Sequence, residues 1–418
     1  MARIVFATYG SLGDLHPVIA LAGGLRERGH QLVIATSEMY RAKLHGLGFA
    51  FHPLRPDLLA QGEHIVAEIM DGHRGTERLM RKHLFPAVRS MHADLAPLMA
   101  NADLLVASEL VFPAPMLAVT HGVRWVSYQL APVSLFSRHD PPELPVPAAL
   151  RWLIRAGWLH RLVKPVAKAL SHSWWRPVRE LRAELGLPRG EHPLFDGKYS
   201  PTLNLALFSP VLQSPQPDWP PQTSQTGFLF FDENSPAQTL PDPVETFLAA
   251  GDPPIVFTLG SAAIYVAGNF YVESARAAQR LGRRAVLLLG KDQAAPASLP
   301  SSVLACDYLP YSRIFPRASA IVHQGGVGTT AQALRSGRPM LVVPFAHDQF
   351  DNAARVTRLG VGRSIARAHY RADRVARQLA ALLGDAEVAS AATRIGELVR
   401  AEAGVKLACD AVERLLRQ

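Results

Sequence analysis

The sequence predicts an α/β protein built on two open parallel sheets, and three observations carry that expectation. Short apolar runs rich in β-branched residues recur along the 418 residues, with room for a helix between successive runs. The runs are continuous rather than alternating, which is the pattern of strands buried on both faces. The series breaks once, at Ser209–Gln225 (SPVLQSPQPDWPPQTSQ), and then restarts. The chain length is also two to three times that of a typical domain, so two domains are expected.

In the first half the runs are Ile4–Thr8, Gln31–Thr36, Phe49–Leu54, Asp103–Ser108, Arg124–Pro132 and Thr202–Pro210. The segment between the first two enters at Pro17 and leaves at Gly29, the Pro-in, Gly-out asymmetry of a helix, giving a βαβ unit. The Pro-, Gln- and Ser-rich stretch resists both helix and interior strand and reads as a linker. The second series is Pro254–Gly260, Arg284–Gly290, Val303–Pro310, Ala320–Gly326 and Pro339–Phe345, and beyond about Val375 the spacing is helical to the end. The expected division is an N-terminal domain over 1–212, a linker over 213–240, a second domain over 241–395, and a terminal helix over 396–418 packing back toward the first. Open parallel sheets bind ligands beyond the carboxyl ends of their strands, here in a cleft expected between the domains.

Composition narrows the class. Hydrophobic residues make up 48% and charged residues 19%, which argues against disorder or a small disulfide scaffold. The net charge of +9 does not by itself indicate nucleic acid; it suits an acidic small molecule or an anionic membrane surface. Two cysteines, Cys306 and Cys409, cannot form a disulfide framework, which favours a reducing compartment. The first apolar run is too short for a signal peptide and no stretch is long enough to span a bilayer, so a cytoplasmic protein is expected, with peripheral contact at the inner face of the membrane left open. The basic, Trp-bearing segment Arg151–Arg182 has Glu180 as its one acid. It reads either as a solvated helical face with Trp anchors, or as a helical pair at an acceptor mouth or an anionic membrane. No obligate protein partner is indicated.

The most informative stretch is His323–Asn352, HQGGVGTTAQALRSGRPMLVVPFAHDQFDN. An apolar strand runs into Gly325, Gly326 and Gly328, then Thr329 and Thr330, then a helix ending at Gly337. Glycines allow close backbone approach and a helix N-terminus presents unpaired N–H groups, an arrangement suited to phosphate. The glycine spacing is not GxGxxG, and Gly290–Lys291 does not complete a Walker loop. HExxH, CxxC, GxSxG and Asp-x-Asp are all absent, so neither a metal nor a bound cofactor is expected and charge must be neutralised by protein groups.

The order His323, Gly325, Gly328–Thr329–Thr330, Gly337–x–Pro339, Pro344 and Asp348–Gln349 resembles the donor signature of family 1 glycosyltransferases. The opening GSLGDLHP (Gly10–Pro17) is similar to that of their bacterial and sterol-glycosylating branch. The segments Asp218–Asp232 and Ala346–Gly360 look like bacterial rhamnosyltransferases of the rhamnolipid and flavonoid-modifying type. The resemblance spans essentially the whole chain. It implies two facing Rossmann-like domains (the GT-B architecture) and an inverting transfer from a dTDP- or UDP-sugar, either L-rhamnose from dTDP-L-rhamnose or glucose from a dTDP or UDP donor, to a hydroxyl of a hydrophobic acceptor such as a flavonoid or hydroxy-lipid. A nucleotide-sugar epimerase or hydrolase on the same scaffold is the rival reading.

Carried over by position, the resemblance gives His323 a contact with the donor diphosphate, surrounded by the N–H groups of Gly325–Thr330. Asp348 and Gln349 would bind sugar hydroxyls, Ser261 would reach the phosphate from the other side, and Tyr308 would stack on the base. Bland readings stay open beside these: Asp348 as an N-cap near Phe350, Ser261 as a turn residue, His323 as a satisfied core histidine. Ala331 stands where many relatives carry a ribose-binding Glu, which is compatible with a deoxyribose donor. The expected base is Asp14, with His16 as base or hydrogen-bond partner, although Asp14 also suits an N-cap for the helix entered at Pro17.

Overall fold

A computed structural model describes residues 1–58, 62–144, 160–232, 240–290 and 293–418. The described chain divides into two compact units, one of Met1–Leu229 with Ala403–Gln418 and one of Phe230–Glu402. Residues 151–159 of the Trp-bearing segment lie outside the described residues.

The first unit holds seven strands: β1 (Arg3–Ala7), β2 (Gln31–Thr36), β3 (Ala50–Pro53), β4 (Leu104–Ser108), β5 (Arg124–Gln129), β6 (Leu203–Ala206) and β7 (Thr223–Gln225). They order as β3-β2-β1-β4-β5-β6-β7, and every pairing is parallel. The residues of β4 are all buried, as expected of a strand covered on both faces. The second unit holds β8 (Ile255–Thr258), β9 (Ala285–Leu288), β10 (Val303–Cys306), β11 (Ala320–His323), β12 (Met340–Val342) and β13 (Gly362–Ser364), ordered β10-β9-β8-β11-β12-β13, again all parallel. The protein is therefore an α/β molecule of two doubly wound sheets. In each, the strand order reverses beside the first strand, between β1 and β4 and between β8 and β11, and such a switch point opens a crevice at the strands' carboxyl ends.

Three boundaries differ from the sequence expectation. The stretch read as a linker carries β7, which pairs with β6, so the first sheet continues through it. Its three residues are all polar, and only pairing along the edge of β6 makes them a strand. The first helix spans Leu12–Glu27 and contains Pro17 in its interior instead of starting there, because Ser11 and Asp14 form a capping box ahead of it. The break in the C-terminal helices falls at 401–403, between helices Ala386–Arg400 and Gly404–Arg417, instead of at residue 396. The last helix packs on Leu12–Glu27, where a Cβ at Gly24 would lie 2.9 Å from both Cys409 Sγ and Val405 Cγ1, and Arg28 pairs with Asp410 at 2.7 Å. Among the described residues no helix is long and apolar enough to cross a membrane.

Candidate active site

At the carboxyl end of β1 the chain turns through Gly10, whose φ of +135° only glycine adopts readily, into the helix Leu12–Glu27. Ser11 is the N-cap and its Oγ accepts from the Gly13 N–H at 3.2 Å. Asp14 Oδ2 accepts from the Ser11 N–H at 2.7 Å and from the Ser11 hydroxyl at 3.3 Å. Asp14 thus caps the helix reciprocally from its third position, with Ser11 and not Asp14 at the N-cap that the alternative reading gave it. Burial raises the Asp14 carboxyl from its ordinary value to about 6, against the lowering effect of the Ser11 hydrogen bonds and with a further push from the Glu109 charge. A carboxylate near that value is a stronger base than an exposed aspartate and is still mostly ionised at neutral pH.

His16 stands two residues on, and positions i and i+2 of a helix do not face each other. Burial, with the Lys43 charge adding, lowers its imidazole to about 4, so it is neutral at pH 7.

Glu109, one residue beyond β4, is the group that sequence reasoning missed here. It receives Lys198 Nζ at 2.5 Å and the Ser134 hydroxyl, which fix its carboxylate on the other side of the same switch point. Its position directly after the apolar run Asp103–Ser108 was the available signal. Tyr9 and Tyr128 also sense the Asp14 charge, and burial holds both phenols well above their ordinary value. Trp125 is 6% exposed and belongs to the core.

In the second unit β11 delivers His323 to the corresponding place, followed by Gln324, Gly325 and Gly326. His323 is fully buried, and burial lowers its imidazole to about 3. Its Nδ1 accepts from the Gly325 N–H at 3.0 Å while Nε2 faces Met340 Sδ at 3.5 Å. The ring therefore shapes the turn from inside as a neutral group, where the sequence expectation placed it against the diphosphate. Gly325 has φ +90°, and a Cβ there would lie 2.7 Å from Val342 Cγ1 and 3.1 Å from the Gln349 carbonyl oxygen.

The helix Val327–Ser336 begins with Gly326 as a cap that has no side chain. A helix leaves the N–H groups of its first turn without intrahelical partners. Asp348 Oδ2 accepts that of Val327 at 3.2 Å, and no N-cap side chain covers those of Gly328 and Thr329. Thr330 is fully buried and its hydroxyl donates to the Gly326 carbonyl at 3.0 Å, so it braces the helix instead of facing a ligand. Thr329 Oγ1 accepts from Gln324 Nε2 at 3.3 Å. Gln324 also lies where a Cβ at Gly260 would fall, 2.3 Å from its Nε2, which locks the β8 turn against the β11 turn. Ser261 follows Gly260 at that end of β8, half-buried.

Asp348 occupies the N-cap position of the helix Gln349–Arg358 but makes no capping bond to it. It serves the other helix, through Val327, and is oriented by Asn352 Nδ2, which donates to Asp348 Oδ2 at 2.7 Å and to the Gly325 carbonyl at 2.8 Å. Asn352 is a second residue the sequence reading passed over; its signal was the i, i+4 spacing from Asp348. Gln349 Oε1 accepts from the N–H groups of Phe345 and Ala346 at 2.8 and 3.1 Å, so its carbonyl end is spent on the loop. His347 between them holds a φ of +56°, a left-handed backbone uncommon for a non-glycine residue. Tyr308, just beyond β10, is 52% exposed, an open aromatic face at a strand's carboxyl end. Ala331 is buried at 4% exposure.

The chain is similar to known proteins over nearly its whole length. Residues 4–100 match the family model described as the glycosyltransferase family 28 N-terminal domain, and residues 279–406 match that of the erythromycin biosynthesis protein CIII-like C-terminal domain. The chain is 33% identical to an O-mycaminosyltylonolide 6-deoxyallosyltransferase of Streptomyces fradiae, over 98% of this chain and 97% of that protein. The solved glycotransferase of kitacinnamycin superposes with a TM-score of 0.74 at 22% identity, covering 99% of each chain. A spinosyn rhamnosyltransferase complexed with thymidine diphosphate superposes with a TM-score of 0.69 at 18% identity, covering 100% of each.

Proposed function

Because this chain belongs to the family 1 glycosyltransferases of GT-B fold, and is a nucleotide-sugar-dependent glycosyltransferase, we propose that it inverts a 6-deoxysugar from a dTDP-sugar onto a hydroxyl of an apolar small molecule. The observation that carries the reading is the uncapped start of helix Val327–Ser336, placed at the switch point of the second sheet. In this reading the second unit binds the donor. The N–H groups of Gly326, Gly328 and Thr329 receive the diphosphate, Ser261 adds a hydroxyl, Tyr308 stacks on the base, and Asp348 and the amide of Gln349 reach sugar hydroxyls. His323 and Thr330 act from behind, holding the turn that presents those amides.

The first unit binds the acceptor and supplies Asp14. The acceptor hydroxyl gives its proton to Asp14 as its oxygen forms the new bond to the anomeric carbon. The bond from that carbon to the diphosphate oxygen breaks, and the nucleoside diphosphate leaves with the bonding electrons. Hydrogen bonds from fixed amides stabilise the charge that develops on the leaving group. A thymidine donor is supported by Ala331, which offers no carboxylate to a ribose 2′-hydroxyl, and by the thymidine diphosphate bound to the spinosyn enzyme. A 6-deoxysugar is supported by the Streptomyces relative, which is named a 6-deoxyallosyltransferase of O-mycaminosyltylonolide. The epimerase or hydrolase reading has no support among these relatives. The test is a matrix of dTDP- and UDP-sugars against apolar hydroxylated acceptors, read by mass spectrometry. Glycosylated product with inverted anomeric configuration is expected, and donor turnover without acceptor would contradict the assignment.

A further inference from the structure

The donor site proposed above takes Ser261 from the turn after β8 and Asp348 from the loop after β12. Those strands do not pair, because β11 lies between them, so no ladder bond sets one turn against the other. A single guanidinium spans the two directly. Arg367 Nη2 donates to the Val266 carbonyl at 2.6 Å, at the end of the short helical turn Ala263–Val266 that follows Ser261. Its Cζ lies 4.3 Å from the centroid of the Phe345 ring, at the start of the loop that carries Asp348. Phe345 is 2% exposed, and its N–H is held by Gln349 Oε1 at 2.8 Å.

Arg367 is itself held from behind. Beyond β13 the Ile365 N–H donates to the Val342 carbonyl at 2.9 Å, and the Tyr370 N–H to the Arg367 carbonyl at 3.1 Å. The Tyr370 ring stacks on Phe270 with centroids 4.7 Å apart, and its hydroxyl lies 2.7 Å from Ser274 Oγ. A side chain on fixed support transmits position. The contact is also more than a cover for an apolar ring, which hydrocarbon alone would provide. Arg367 makes no ion pair with a described carboxylate, and burial is what acts on its guanidinium, lowering it from its ordinary value. It makes instead a cation–aromatic contact and one directed bond, and the two end on different loops. The loop beneath it contains His347, whose φ of +56° is kept only where surrounding contacts over-determine it.

We propose that Arg367 is a positioning residue for the donor sugar, tying the Ser261 turn to the Phe345–Asp348 loop so that the Asp348 carboxylate keeps its place beside the diphosphate. The inference rests on the reading of Asp348 as a sugar contact. It places Arg367 on neither the nucleotide nor the reacting atoms. The amides of Gly326, Gly328 and Thr329 belong to the β11 turn, which His323 and Gln324 brace from their own side. Binding of dTDP alone should therefore not register the loss of Arg367, whereas binding of an intact sugar donor should.

Calorimetric titration of the full chain with dTDP and with dTDP-L-rhamnose, in the absence of acceptor, tests it, the readout being the ratio of the two affinities. Arg367→Met keeps an unbranched hydrocarbon over Phe345 and removes the bond to Val266. It should melt close to wild type and leave dTDP affinity within about twofold, while affinity for dTDP-L-rhamnose falls about fivefold or more, the equivalent of one sugar hydrogen bond. Phe345→Leu should give the same selective loss, and Arg367→Met/Phe345→Leu should lose no more than the worse single variant, since both break one contact. Asp348→Asn keeps an oxygen for the Val327 and Asn352 bonds and controls for the reading itself. An unchanged affinity ratio in Asp348→Asn would overturn the sugar contact and the role of Arg367 with it. A ratio altered in Asp348→Asn but not in Arg367→Met would overturn the positioning role alone. Equal losses for dTDP and dTDP-L-rhamnose in Arg367→Met, or additive losses in the double variant, would do the same.

Discussion

The two units present the same topological feature with opposite chemistry. In each, a central strand ends at a switch point and a turn leads into a helix N-terminus. At β1 that terminus is closed by the chain itself, with Ser11 and Asp14 taking up its amides and a negative charge already in place. At β11 the N-cap is Gly326, and Asp348 takes up the Val327 amide alone, so those of Gly328 and Thr329 keep their partial positive charge with no N-cap side chain over them. A self-capped terminus is a poor phosphate site but holds a carboxylate at a fixed point, where burial can raise its basicity. An open terminus is a poor base and a good anion site. One fold used twice thus separates proton transfer from leaving-group stabilisation.

The largest expected effect comes from removing the charge at the closed end. Asp14→Asn should lower turnover by about 10²–10⁴-fold while leaving dTDP affinity in calorimetry unchanged, since the donor turn belongs to the other unit. Near-normal turnover would remove Asp14 from the reaction. The next largest comes from making the open end resemble the closed one. Gly326 has φ −59°, which any residue tolerates, and a Cβ there meets only the tip of Gln324 at 2.8 Å. Gly326→Asp should therefore fold and gain a cap worth about 0.5–2 kcal/mol, while dTDP affinity falls by about 10–100-fold through repulsion and loss of the free amides. Unchanged dTDP affinity in a folded variant would break the comparison.

The pH dependence follows from the Asp14 carboxyl, raised by burial to about 6. Below that pH it is protonated and cannot accept the acceptor's proton. The rate should rise through about pH 6 and level off above, a change of about tenfold between pH 5 and 7. Stability runs the other way. The folded state holds the proton more tightly than the unfolded chain, so this group's contribution is complete below about pH 4 and is lost as pH rises through about 6. Denaturation of wild type and Asp14→Asn across that window checks the sign. The smallest effect concerns the braces of the open end. Thr330→Val removes one internal hydrogen bond, at about 1 kcal/mol of stability, and should change dTDP affinity by less than about twofold. A large loss of affinity would put the Thr330 hydroxyl back on the ligand.

These contrasts show what the sequence made legible. Strand positions and the glycine turn were readable because buried parallel strands and φ-positive turns leave strong patterns, as in Asp103–Ser108 and Gly325. The short edge strands β7 and β13 were not, since Thr223–Gln225 and Gly362–Ser364 contain no apolar run and owe their form to a neighbouring strand. The capping box was present as Ser11-x-x-Asp14 but was outweighed by Pro17, whose ring an early helical turn accommodates. Residue roles were legible only to the level of the turn. Whether His323 and Thr330 face a ligand or the protein depends on which local backbone group claims them, Gly325 N–H and Gly326 carbonyl here, and residue spacing does not encode that choice.

The central claim is tested most directly by following backbone amide resonances during titration with dTDP. The account predicts saturable shifts at Gly326, Gly328 and Thr329, with Gly13 and Asp14 unmoved. Shifts at Gly13 and Asp14, or none at the glycine-capped helix, would contradict it.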